Sequence, residues 1–141
     1  MEVSGARQCE VCQRATANHP LARLCVRCRK IVDRIEPRHV KHDVNARIRA
    51  LSKAWDGEGF RCYYTGVRLV EDNQYDPRYL TLDHRVPGRE DDIVVAALLI
   101  NQMKSKLTED EFKLIIAQLK NRFNGGTFDE SVFKLSRWKE R

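Results

Sequence analysis

No stretch of the 141-residue sequence approaches the ~18 consecutive apolar residues that a membrane-spanning helix needs. The N-terminus lacks the apolar block of a secretory leader, and no internal repeat or low-complexity tract interrupts the chain. These absences set the expectation of a soluble, cytoplasmic protein. The length suits one compact domain, or a small core with a satellite module. Cysteine is scarce outside one pattern. Of five, four fall in two C-x-x-C pairs, which suits metal binding in a reducing compartment better than disulfides.

Those pairs are the sharpest local signal. Twelve residues separate Cys9-x-x-Cys12 from Cys25-x-x-Cys28. Zn²⁺ takes four soft ligands in a tetrahedron, and each pair presents two sulfurs to one ion, so a structural zinc is expected. A redox dithiol, or four unrelated core cysteines, would leave the paired spacing unexplained. His19, between the pairs, could replace one sulfur or be a loop residue before Pro20. A closed four-sulfur site has no open position, so this zinc should build structure and do no chemistry.

Charge is the next signal. The formal charge is +6, yet residues 22–53 hold ten Lys and Arg against Asp33, Glu36 and Asp43, a local +7. A basic block of this kind is the footprint of phosphate contacts, with a merely solvated basic face as the alternative. Two helices are expected in it, over 22–35 and 40–55. In the second, Val40, Val44, Ile48, Leu51 and Trp55 share one stripe at helical spacing. His42, Asn45, Arg49 and Lys53 take the other side, where Arg49 and Lys53 could face DNA. His39 and His42 lack an acidic or cysteine partner at metal-binding spacing and read as a solvated or phosphate-facing pair.

Further along, Phe60–Tyr64 and Val67–Val70 read as short strands around Thr65-Gly66, a hairpin signal. Tyr79–Asp83 reads as the next strand. A helix is expected from Ile93 to about Met103. Thr108-Glu109-Asp110-Glu111 has the form of a capping box, opening a helix with the stripe Phe112, Ile115, Ile116, Leu119 and Phe123. Asn124-Gly125-Gly126 ends it, and a last amphipathic helix is expected over 129–139, with Val132, Leu135 and Trp138 inward.

The chain is organised around Leu80-Thr81-Leu82-Asp83-His84-Arg85-Val86-Pro87-Gly88, followed by Asp91-Asp92-Ile93 and Asn101-Gln102-Met103-Lys104-Ser105-Lys106-Leu107. This order resembles the HNH nuclease family, whose core is a ββα-metal finger, over roughly residues 60–112. The resemblance implies an α+β fold: a small ββα-metal core (60–112) flanked by helices. Around it lie an N-terminal four-cysteine zinc-binding module (1–36), a basic helix and linker (37–59) and C-terminal helices (113–141). Many members carry a second zinc near the first strand. Here Thr65 stands three positions after Cys62 where a second cysteine would be, and Ala97 and Ile100 stand where the other pair would fall, so Cys62 reads as a small buried hydrophobe.

By that resemblance Asp83 and Asn101 bind a catalytic divalent cation, Mg²⁺ or another, and His84 is the general base. Hard oxygen donors with open positions suit such a cation, and an imidazole of ordinary pKa near 6.5 is neutral often enough to take a proton. Asp92 stands where the family usually has an Asn that steadies the histidine loop. It could accept a hydrogen bond from ring or backbone, or draw the imidazole toward its charged form. In an ideal strand Asp83 and His84 face opposite ways, so the chain must turn there for both to reach one site. Arg85 and Arg89 could grip the scissile phosphate, and Lys104 and Lys106 the flanking backbone, or each could face solvent. The expected partner is double-stranded DNA, the expected activity endonucleolytic hydrolysis. A non-catalytic zinc-containing DNA-binding protein of the same fold is the alternative, and a homodimer is open.

Overall fold

In the computed structural model, residues 8–14, 23–35, 44–89 and 91–135 are described. Helix α1, Val26–Arg34, begins directly after Cys25, whose extended backbone (φ −69°, ψ 168°) forms its N-cap. Cys28, Ile31 and Val32 fall one turn apart on its inner face and are buried, while Arg34 lies in the last turn, favourably placed against the helix dipole. Helix α2, Val44–Ala54, buries Ala46, Ile48, Ala50 and Leu51. The two alanines allow close approach to the sheet, and Leu51 is fully enclosed. His39 and His42, like His19, lie outside the described residues.

After α2 the chain turns through Asp56–Gly59, where Gly57 has φ +103°, a value that favours glycine. The segment that follows departs from the expected hairpin of two strands. Its ladder is a single bridge, Arg61 to Arg68, around a turn in which Gly66 has φ +72°. The reason is a competing partner: the Tyr63 N–H bonds the Val95 carbonyl at 2.9 Å, and the Ala97 N–H reaches the Cys62 sulfur at 3.4 Å. The segment docks along the sheet instead of extending its own ladder. Phe60, fully buried and edge-on to Trp55 at 5.1 Å, anchors it. Truncating such a phenylalanine to alanine costs about 3–5 kcal/mol.

Strand β1, Leu80–His84, pairs antiparallel with β2, Ile93–Ala97, in the register Leu80 to Ala97 through His84 to Ile93. The apolar run from Ile93 departs from the expectation of helix throughout; it is strand first and helix second. β-branched Ile93, Val94 and Val95 suit a pleated, buried surface, and β1 supplies their hydrogen-bond partners. Helix α3, Leu98–Lys104, follows at once. Its first N–H groups are satisfied from outside: Leu98 bonds the Tyr79 carbonyl at 2.8 Å and Leu99 the Pro77 carbonyl at 3.0 Å.

Helix α4, Glu109–Phe123, opens with the expected capping box between Thr108 and Glu111 and closes at Asn124, with Gly125 at φ +90°. Its expected apolar stripe is only partly covered among the described residues: Phe112 is buried and Ile115 and Leu119 are half-buried, but Ile116 is 40% and Phe123 80% exposed. Within the described part of the helix expected over 129–139, residues 129–135, there is a 3-10 turn, Glu130–Phe133, held by Asp129 accepting from the Ser131 N–H. Val132 and Leu135 are half-buried there, and Trp138 lies outside the described residues. One buried cluster joins Cys9, Cys12 and Cys28 to Leu51, Phe60, Leu80 and Val95, so the cysteines and the sheet share a core. Among the described residues no helix is long and apolar enough to cross a membrane.

Candidate metal centres

The sulfurs of Cys9, Cys12, Cys25 and Cys28 all lie within 4.8 Å of one another. Cys12 and Cys25 are 3.7 Å apart, far beyond a disulfide bond. Four sulfurs at ~2.3 Å from a central ion have tetrahedral edges of about 3.8 Å, so this spacing matches a zinc site. Local backbone builds each half. Gln13 takes a left-handed conformation (φ 63°) just after Cys12, and Cys25 and Cys28 bracket the start of α1. Burial opposes ionisation of Cys9, but the N–H groups of Cys12, Cys25 and Val11 together outweigh it and bring that thiol to about 7. Burial pushes Cys12 up, and burial, Cys25 and the charge of Cys9 push Cys28 far up. Four crowded thiolates disfavour one another, and a bound Zn²⁺ removes that conflict. Cys62, the fifth, is buried away from this group, as expected.

The second candidate lies where the hairpin mouth meets α3. A cavity of about 290 Å³ is bordered by Asp83, His84, Asn101, Lys106 and the Pro87-Gly88 turn. The chain leaves the ladder just after His84 and turns, with Gly88 at φ +90° and the Arg89 N–H on the Val86 carbonyl at 3.1 Å. Neighbouring strand residues thus border one space.

The Asn101 amide is oriented by its acceptors. Its Nδ2 donates to the Leu82 carbonyl at 2.9 Å and to Thr81 Oγ1 at 3.1 Å. Thr81 spends its own proton on the Ala96 carbonyl, 2.8 Å away, so both neighbours of Nδ2 act as acceptors. The amide therefore has one satisfactory orientation, which leaves its oxygen outside these two bonds on a residue that borders the cavity. Asp83 is 4% exposed and takes the Tyr64 hydroxyl on Oδ2 at 2.5 Å. The Lys104 ammonium stands 3.3 Å from Oδ2 and 3.4 Å from Oδ1. Burial pushes the Asp83 carboxyl up, against Tyr64, Lys104 and His84, which favour its charged form. Burial and the Asp83 carboxylate push the Tyr64 hydroxyl up in turn.

Several expected contacts fall elsewhere. Lys104, expected on the flanking backbone of DNA, has no exposure and donates to the His84 carbonyl at 2.7 Å, so it cannot reach a phosphate. Arg85 is turned away from the cavity. It pairs with Glu109 at 2.7 Å and Asp92 at 3.5 Å, and Tyr63 also donates to Glu109 at 2.9 Å. Asp92 borders a different cleft of about 280 Å³, between α2 and the hairpin, with Arg49, Lys53, Arg61 and Arg85. Arg49, Lys53, Arg89 and Lys106 are exposed.

The basic segment itself is partly structural. Arg47 is buried and donates to the Val32 carbonyl at 2.6 Å. Arg23 pairs with Glu10 at 2.5 Å, Arg27 with Glu71 at 2.5 Å, and Arg34 lies 4.2 Å over the Tyr79 ring. Tyr64 carried no sequence signal, since nineteen positions separate it from Asp83. Lys104 carried one, because it follows Asn101 by three positions and so shares its helix face. Against known proteins, the chain matches no family model, no curated protein and no solved structure.

Proposed function

We propose that the chain is a metal-dependent endonuclease of the HNH kind, hydrolysing phosphodiester bonds of double-stranded DNA. The observation that carries this reading is the convergence of Asp83, His84 and Asn101 on one solvent-connected cavity. The succession β1, β2, α3 is also the ββα order of an HNH core. The donor set fits a hard cation: a carboxylate, and an amide oxygen left free by the two hydrogen bonds of its nitrogen. A divalent cation held by Asp83 and Asn101 would neutralise charge on the phosphate and on the departing 3′ oxygen. His84 accepts the proton of the attacking water. Lys106 at the cavity and Arg49 and Lys53 on α2 hold flanking phosphates by charge, which carries no base code. The four cysteines hold a structural Zn²⁺ that fixes the start of α1. A double-strand break then requires two copies of the chain or two visits.

A second reading has its own observation. Lys104 and Tyr64 already satisfy the Asp83 carboxylate, as in a protein that keeps the fold and binds DNA without cutting. Plasmid nicking in Mg²⁺ or Mn²⁺ separates the two. The wild type is expected to nick, and His84→Ala to lose at least ~10²-fold in rate with DNA binding unchanged. Intact plasmid in both metals ends the enzymatic reading, and salt-sensitive binding alone then favours the second.

A further inference from the structure

Lys104 is a charged side chain with no exposure, held on α3 against the last residues of β1. Burying an ion pair is a poor way to stabilise a fold, because desolvation offsets the attraction and apolar replacements often do better. Its contacts are specific nonetheless. One ammonium bonds the His84 carbonyl at 2.7 Å and lies within 3.4 Å of both Asp83 oxygens. Asn101, three residues earlier, bonds the Leu82 carbonyl from the same helix. The helix α3 that carries Asn101 therefore also brings an amine nitrogen to the carboxylate beside it.

A cation ligated by Asp83 becomes a near neighbour of that ammonium, and like charges at such range repel strongly in a partly dry site. We propose that Lys104 is a positioning residue that anchors Asp83 and the His84 main chain and, as resident counter-ion, holds the cavity's affinity for divalent cations down. The inference rests on the reading above in taking Asp83 and Asn101 as the cation's ligands. Its consequence is a site that fills firmly only when a phosphate adds negative charge, so cation and nucleic acid bind cooperatively.

The test is calorimetric titration of the zinc-loaded full chain with Mn²⁺, beside plasmid nicking. Lys104→Met is expected to bind Mn²⁺ at least tenfold more tightly and to nick at least tenfold more slowly. Lys104→Gln, which keeps an amide donor, shifts affinity in the same direction. A merely structural lesion would weaken binding and rate together. Unchanged or weaker Mn²⁺ binding in both variants overturns the inference, even where the wild type nicks. So does failure of both to fold with Mn²⁺ present, because the cation is required to take over the counter-charge. A wild type that neither binds Mn²⁺ in the cavity nor nicks removes the nuclease reading alone; Mn²⁺ binding gained by Lys104→Met then still supports the role of the lysine.

Discussion

The cysteine cluster and the hairpin cavity both gather donor atoms, and they differ in almost every respect that matters to a metal. The sulfurs of Cys9, Cys12 and Cys28 sit inside the main core, each 7% exposed or less, with only Cys25 partly open. They come in local pairs, each shaped by its own few residues of backbone. The cavity's groups are hard nitrogen and oxygen atoms bordering solvent, and their neighbours come from four parts of the chain: Tyr64, β1, the Pro87-Gly88 turn and α3. A closed soft site is built to be filled once; an open hard site is built to exchange its contents. Damage to the first should therefore appear as loss of fold, and damage to the second as loss of binding and rate.

The most severe break of that comparison is Cys28→Ser. Cys28 has no exposure, and a structural zinc in small peptides is worth on the order of 10 kcal/mol, comparable to the whole stability of a domain. The variant is expected to retain no zinc and to lose cooperative unfolding by circular dichroism, and the wild type is expected to retain one zinc per chain. A zinc-free variant that melts like the wild type would show that the sulfurs are only packing.

Asn101→Ala makes the complementary break. It leaves the Leu82 carbonyl without its amide donor and so should cost about 1–3 kcal/mol in urea unfolding. The fold and the zinc should survive, while Mn²⁺ binding in the cavity disappears. Mn²⁺ affinity unchanged from the wild type would remove Asn101 from any metal centre.

The same contrast explains what the sequence disclosed. The C-x-x-C pairs, the α4 capping box and the Pro87-Gly88 turn are short-range patterns whose physics is complete within a few residues; the turn expected between Asp83 and His84 is absent, since both belong to β1 and the chain turns only after His84. Ile93–Ala97 reads as helix from sequence because a short apolar run looks alike in both periods, and only the partner strand decides. Lys104 reads as a phosphate-facing or solvent-facing charge, and Arg47 counts merely as one of the basic block over 22–53, because composition cannot tell a solvated cation from one bonded to a buried carbonyl. The apolar residues of α4 point inward on periodicity alone, although Ile116 and Phe123 on that stripe are exposed among the described residues. What stays hidden is long-range in each case: which atoms meet across the fold.

The smallest expected effect concerns what a fully satisfied carboxylate looks like beside Asp83. Asp56, in the turn after α2, accepts the N–H groups of Glu58 at 2.9 Å and Gly59 at 2.8 Å, and pairs with Arg61 and Arg68, each at 2.7 Å. Gly59 and Glu58, then Arg68 and Arg61, hold its carboxyl well below the usual range. The folded pKa is thus lower than the unfolded one. The stabilisation is fully present above about pH 5 and is lost as pH falls through the unfolded value toward the folded one. Asp83 has the opposite sign: burial raises its carboxyl, so acidification relieves a cost there. Comparing Asp56→Asn with the wild type isolates the first, because contributions common to both chains, including acid release of zinc, cancel in the difference. The gap between their urea midpoints should hold steady above about pH 5 and narrow from about pH 4 downward. A gap that stays constant to about pH 3 would mean that the turn owes nothing to the charge of Asp56, and that its four contacts act as neutral hydrogen bonds.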